Sequence, residues 1–304
     1  MAAQPRDQRI LVPFDGSALS AQAFALALGL ARPGAALTVF HVDEGQDQGV
    51  RGTIDTVTAT LQGAAGGGER IEATIARGKA VDGIIAEADR LDADLIVMST
   101  RGRGGLARMA FGSVTDQVVR RSHRSVAVIH SGRNDRNEPD TPVAEAGHEP
   151  YRFGRIIVPL DGTDVSASAL PVASELATRF RIPVLLVSTV NLVPLTSPTM
   201  VQDVGMAMNM EEVYEETRDY AAEWLAAAQK QLGAAGVESS TEFLTGAPAA
   251  SIEGLTRSGD LIVMATHGRS GLDRVLSGSV SDQLIRSGAA PVLIVRGDRT
   301  TAAQ

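Results

Sequence analysis

At 304 residues, with 44% hydrophobic and 21% charged side chains, the chain is long enough to bury two cores and too apolar to be intrinsically disordered. A net charge of −8, from 28 basic and 36 acidic side chains, argues against nonspecific binding to nucleic acid or to an anionic membrane. The absence of cysteine excludes disulfides, thiolate catalysis, iron–sulfur ligation and cysteine-bound zinc, and the five histidines (41, 123, 130, 148 and 267) show no metal-ligand spacing.

The first residues lead directly into an apolar strand without the core of a signal peptide. No run approaches the roughly 18 apolar residues that span a bilayer, so a cytoplasmic protein is expected. Short apolar runs then alternate with helical patterns, the arrangement of βα units that feed a parallel sheet. Strands are expected at Ile10 to Phe14, Leu37 to His41, Ile71 to Ala76, Leu95 to Ser99 and Val126 to His130. The helices between them fall at Leu19 to Ala31, Thr53 to Gln62, Val81 to Leu91 and Val114 to Arg121. From Ser131 to Arg152 the chain is rich in Asp, Asn, Glu, Gly and Pro, which reads as a solvated linker. Beyond it, strands are expected at Ile156 to Leu160, Val184 to Ser188, Ser240 to Leu244, Leu261 to Ala265 and Val292 to Val295. Helices are expected at Ser166 to Phe180, Glu211 to Leu232, Pro248 to Arg257 and Val280 to Arg286. Runs such as LIVM at Leu95 and Leu261 are apolar throughout, as strands covered on both faces must be. The expected architecture is α/β: two tandem open five-stranded parallel-sheet domains with helices on both faces, at 1–132 and 153–304, joined by a linker over 133–152.

The two halves repeat one another. Asp94 to His130 and Asp260 to Arg296 align without a gap and are identical at 18 of 37 positions, and RILVPFDGS from Arg9 is echoed by RIIVPLDGT from Arg155. Asp15 and Asp161 are 146 residues apart but Gly102 and Gly268 are 166 apart, so the second repeat carries a 20-residue insertion, placed around Asn191 to Met210.

In an open parallel sheet, ligands bind beyond the carboxyl ends of the strands where the strand order reverses. Both recurring turns fall at carboxyl ends of strands, Pro13-Phe14-Asp15 after the first and Arg101 to Ser113 after the fourth, and they face one crevice if those two strands are neighbours at the reversal. Glycines at 102, 104, 105 and 112 would let the backbone approach an anion or take positive φ. Gly112-Ser113 then opens a helix whose N–H groups and dipole favour a phosphate, and Ser113 would cap that helix or donate its hydroxyl. The second repeat keeps Gly268, Gly271, Gly278 and Ser279 but has Ser270 in place of Gly104. Asp15 and Asp161, beside a phosphate cradle, suit ribose hydroxyls or a divalent cation that bridges the phosphates. The plainer reading is that the glycines are turn residues and the serines helix caps. Arg101 and Arg103, or His267 and Arg269, would clamp terminal phosphates or remain solvated charges. His41 reads as a packing residue, and an amphipathic helix turning its aromatic inward explains Trp224 more simply than a lid does. No nucleophile or general base with an orienting partner is evident, so no catalytic residue is assigned and any ATP hydrolysis is expected to be slow.

On these residues both repeats resemble the universal stress protein family. Its nucleotide-binding members carry G-x2-G-x9-G-[S/T] after the fourth strand and Pro-x-Asp after the first. Gly102, nine residues, then Gly112-Ser113 match the end of that loop, as do Gly268, nine residues, then Gly278-Ser279; the family's first glycine falls on Ser99 and on Ala265. The resemblance implies a Rossmann-like, adenine nucleotide hydrolase-like fold that binds ATP with Mg2+. It places the nucleotide against Pro13, Asp15, Val42, Met98, Ser99, Gly102, Arg103, Gly112, Ser113 and Val114 in the first repeat. In the second repeat the corresponding set is Pro159, Asp161, Val190, Met264, Ala265, Gly268, Arg269, Gly278, Ser279 and Val280. Adenine would lie against His41-Val42 and Thr189-Val190. The family also implies a stress-responsive regulatory role with protein partners, and pairing of the two domains through their last strands, with a homodimer left open. The alternatives are an interaction protein with vestigial sites, or an ATP-using or flavin-binding protein on a related fold. The loop differences and the insertion predict that the two sites differ in affinity at least about tenfold.

Overall fold

The computed structural model describes residues 6–45, 50–65, 68–100, 112–130, 149–190, 210–266 and 280–296. In the first repeat these form β1 (Arg9–Pro13), α1 (Ala18–Leu30), β2 (Ala36–Asp43), α2 (Val50–Ala64), β3 (Arg70–Arg77), α3 (Ala80–Arg90), β4 (Leu95–Ser99), α4 (Ser113–Arg121) and β5 (Ser125–Ile129). The second repeat forms β6 (Arg155–Pro159), α5 (Asp164–Ala167), α6 (Leu170–Phe180), β7 (Val184–Val190), α7 (Met210–Ala234), β8 (Ser239–Thr245), α8 (Pro248–Leu255), β9 (Asp260–Thr266), α9 (Val280–Ser287) and β10 (Val292–Arg296). The ten strands stand where the apolar runs placed them. The single helix expected over Ser166 to Phe180 is instead two, α5 and α6. Pro171 lies in the first turn of α6, where its missing N–H costs nothing but where an upstream helix could not continue through it.

The strands form one ten-stranded sheet in the order β3-β2-β1-β4-β5-β10-β9-β6-β7-β8. Neighbours within each repeat run parallel, with helices on both faces, and β5 and β10 meet antiparallel. Alternate strand residues feed two cores. Ile10, Val12 and Val97 pack with Phe24, Leu26 and Ile54 on one face, while Leu11 and Ile96 pack with Ile84 and Val118 on the other. This two-sided burial is why the strand sequences show no polar alternation.

The seam between repeats pairs Val126 with Ile294, Ala127 with Leu293 and Val128 with Val292. It is reinforced across the sheet ends, where Arg296 donates to the Val119 carbonyl of α4 and the His130 ring lies against Gly288 at the end of α9. On the opposite face, Arg179 donates to the Leu30 carbonyl at 2.9 Å and Arg32 pairs with Glu175 at 2.5 Å. Tyr151, inside the stretch that composition marks as solvated, is in fact held. Its amide donates to the Ala25 carbonyl at 2.8 Å, and its ring packs tilted against Phe153, with centroids 5.1 Å apart. Gly29 is required beneath it, since a Cβ there would lie 2.5 Å from the Tyr151 carbonyl oxygen.

The repeated Asp94 and Asp260 are structural. Asp94 accepts the Arg9 amide at 2.9 Å and the Arg6 guanidinium at 2.6 Å. Asp260, 3% exposed, pairs with Arg155 at 2.6 Å and accepts the Arg257 amide at 2.8 Å. Each clips the first strand of its repeat to the fourth.

Candidate functional site

The strand order reverses between β1 and β4 in the first repeat and between β6 and β9 in the second, and each of these pairs is directly hydrogen-bonded. The turn after the first strand and the loop after the fourth therefore leave from adjacent strands at the same end of the sheet.

Pro13 closes β1 opposite Phe40, and Gly16 then turns the chain with φ 83°. Asp15 folds back onto the start of α1: its Oδ1 accepts the Ser17 amide at 3.0 Å and the Ser17 and Ser20 hydroxyls at 2.6 Å each. Ser17 caps α1 by accepting the Ser20 amide at 3.1 Å. The carboxylate thus sits where the helix dipole favours negative charge. In the second repeat Pro159 lies opposite Val187 and Gly162 turns with φ 80°. Asp161 Oδ1 accepts the Thr163 amide at 3.0 Å and the Thr163 hydroxyl at 2.6 Å. The supporting hydroxyls of Ser17, Ser20, Thr163 and Ser166 were not singled out from sequence. Their signal is the shared pattern D-G-[S/T]-x-x-S in DGSALS and DGTDVS.

Burial alone would raise the Asp161 carboxyl. The Thr163 and Ser166 hydroxyls and the Thr163 amide bond its charged form and outweigh burial, so it is held below the ordinary carboxylate value. A carboxyl depressed on folding contributes stability above the unfolded carboxylate range, and that contribution disappears as pH falls through the folded value. Thr163→Val should move the Asp161 titration upward, so that the contribution is lost at a higher pH. Carbon-detected NMR of the side-chain carboxyl reads this directly, and an unmoved titration would show that Thr163 does not hold the charge.

At the end of β4, Met98 and Ser99 are buried. The Met98 side chain packs with Val118 and Val128 in the core, as Met264 does with Ile294, so each offers a ligand only its backbone. Ser99 and Ala265, which stand where the family has glycine, lie within β4 and β9 and neither has a positive φ, so the exchange carries no backbone strain. The Ser99 carbonyl accepts the buried Thr115 hydroxyl at 2.8 Å, which ties α4 to the strand end. The Thr100 carbonyl accepts the Gly112 amide at 2.6 Å.

Gly112 is the N-cap of α4 with φ −69°, so positive φ is not why glycine stands there. A Cβ at this position would lie 2.6 Å from the Thr100 carbonyl oxygen; the glycine is needed for a backbone crossing. Because Gly112 occupies the cap, Ser113 is already the first helical residue and does not cap, and α4 begins without a side-chain cap and with Ser113 exposed. Val114 and Val280, near the starts of α4 and α9, are partly buried against the core. Gly102, Arg103, Gly268, Arg269, Gly278 and Ser279 lie outside the described residues, as do Arg101 and His267.

At the end of β2, His41 is buried and its Nδ1 donates to the Phe14 carbonyl at 2.8 Å, which makes it a structural strut between β2 and the turn. The two valines expected against the base are not equivalent. Gly78 donates to Asp43 and Gly246 to Val190, so Val190 matches Asp43 and Val42 matches Thr189. A one-residue offset reverses the face, so Val42, which packs toward Gly83, and Val190 point to opposite sides of the sheet. Trp224 does pack toward the core, but it also covers the Asp161 turn. A Cβ on Gly162 would lie 2.8 Å from Trp224 Cε3.

A duplicated α/β sheet with paired turns at two strand-order reversals defines the class. The model of the Universal stress protein family matches residues 8–130 and 152–296, and the chain belongs to that family as a tandem two-repeat member. A universal stress protein of Mycobacterium tuberculosis (strain ATCC 25618 / H37Rv) is 31% identical over 208 residues, a match spanning 67% of this chain and 62% of the relative. The chain thus covers less than two thirds of the length of that relative. A universal stress protein of Methanocaldococcus jannaschii is 33% identical over 148 residues, 47% of this chain and 82% of the relative. The crystal structure of a universal stress protein from Archaeoglobus fulgidus DSM 4304 shares the fold, with a TM-score of 0.63 and 17% identity across 95% of this chain and 98% of that one. Among the described residues, no helix is long and apolar enough to cross a membrane.

Proposed function

We propose that the protein binds an adenine nucleotide, ATP carried with Mg2+, at the strand-order reversal of each repeat, and that it acts as a stress-responsive regulatory module in the cytoplasm. The observation that supports this most strongly is the Gly112 crossing. Held 2.6 Å from the Thr100 carbonyl and lacking any side-chain cap, it starts α4 beside the end of β4, where the first amides and the dipole of the helix suit a phosphate. Asp15, in the turn after the adjacent strand, suits the ribose hydroxyls. Mg2+ would arrive on the phosphates. Gly102, Arg103, Gly268, Arg269, Gly278 and Ser279 enter this reading from the sequence pattern.

The role is binding rather than turnover, with hydrolysis at most slow. Protein partners would read the nucleotide state. The test is mass spectrometry of small molecules released from the purified, denatured protein, followed by calorimetry with MgATP. Recovery of adenine nucleotide, or saturable binding of added ATP, is expected. A released flavin would replace this reading, and neither release nor binding would leave a protein-interaction role with vestigial sites.

A further inference from the structure

We infer that Trp224 belongs to the ligand site of the second repeat, as an aromatic wall and hydrogen-bond donor that the first repeat lacks. This rests on the nucleotide reading of the Asp161 turn. Helices α2 and α7 bury equivalent ladders, Val50, Ile54, Val57 and Leu61 in one and Ala221, Leu225, Ala228 and Leu232 in the other. The spacing is the same, so Trp224, one residue before Leu225, occupies the position of Thr53, one residue before Ile54.

The substitution changes the surface beside the turn. Trp224 Cε3, Cδ2 and Cζ3 lie 2.8, 3.0 and 3.0 Å from where a Cβ on Gly162 would stand, so the six-membered ring covers the residue immediately after Asp161. Asp161, Gly162 and Thr163 nonetheless remain exposed, whereas Gly16 in the first repeat is buried. The second turn therefore has an aromatic ring at its flank. An aromatic face beside a ribose-binding carboxylate suits the flat, polarizable surface of a nucleoside.

The ring also carries an unmet demand. Trp224 Nε1 is buried and has no hydrogen-bond partner among the described residues. Buried indole N–H groups are ordinarily paired, and an orphaned donor calls for a specific explanation. A nucleoside seated against Asp161 carries several oxygen and nitrogen acceptors; one that reaches Nε1 would meet the pyrrole edge of the indole, not the Cε3–Cζ3 edge that lies against Gly162. An acceptor that satisfies Nε1 would make ligand binding relieve a cost already present in the folded protein. The second repeat would then bind through a contact with no counterpart at Thr53, which gives the expected inequality of the sites a definite residue.

Trp224 is the only tryptophan of the chain, so intrinsic fluorescence reports on this position alone. Full-length protein is titrated with MgATP while bound nucleotide is counted by equilibrium dialysis. The expected result is a tryptophan signal that saturates with one of the two dialysis affinities. Trp224→Thr, which restores the first repeat's residue, should weaken that site about tenfold, and Trp224→Phe, which keeps the wall but removes the donor, about threefold. The other site should stay within about twofold, which also shows that the variants fold. Two filled sites with an unmoved tryptophan signal, or unchanged affinities in both variants, would overturn the inference and leave the nucleotide reading standing. Binding at the first repeat alone would do the same, and no binding in dialysis would overturn both.

Discussion

Replacing Gly112 with valine is expected to cut the calorimetric stoichiometry of MgATP from two per chain to one. The usual argument for glycine in such a loop is space for phosphate, which would make the loss grow with side-chain bulk. The structure gives a different reason. The first atom of any side chain at 112 would sit 2.6 Å from the Thr100 carbonyl oxygen, and the same carbonyl accepts the Gly112 amide at 2.6 Å. Both groups are backbone and cannot swing aside as the end of a flexible side chain can. The crossing must open, moving the start of α4 away from the end of β4, and a strained backbone contact of this kind costs about 1–3 kcal/mol. Gly112→Ala should therefore lose the first site almost as completely as Gly112→Val. A graded loss, with alanine near wild type, would favour simple filling of phosphate space, and an unchanged stoichiometry in both would remove this helix start from the site. The repeat predicts the same outcome for Gly278 in the second half.

Truncation after Gly132 should yield a homodimer or an insoluble product, and not a stable monomer. Without the second repeat, β5 becomes an open edge with Val126, Ala127 and Val128 uncovered, all of which are buried in the intact chain. An apolar open edge recruits another strand. The repeat alignment equates Ala127 with Leu293, and these two face each other across the seam, so the pseudo-two-fold axis passes through that pair. A homodimer would set Ala127 against Ala127, losing the leucine that fills the centre of the native seam. It would lose as well the Arg296 contact to Val119 and the Arg179 contact to Leu30. The dimer should consequently be weak, dissociating on dilution in analytical ultracentrifugation. A soluble monomer at all concentrations would show that the seam is not needed to cover β5.

Much of this architecture is written locally. Apolar runs covered on both faces, separated by helical periodicity, specify parallel strands because each residue's burial depends on its own position in the strand. The duplication then carries the same elements into the second half. Pro171 shows the limit of that reading: the periodicity continues through it, but the backbone cannot, and α5 and α6 separate there. The site divides in the same way. From sequence, Asp15 and the Gly112 helix start could be assigned to the ends of the first and fourth strands, which the sheet order makes neighbours. Their partners could not. His41 bonded to Phe14, Thr115 tied to Ser99 and Trp224 laid over Gly162 each join residues brought close only when separate elements pack. Sequence periodicity reports which face of an element is buried. It does not report which atoms of a distant element meet that face, because side-chain volume and strand register across the whole sheet decide that together.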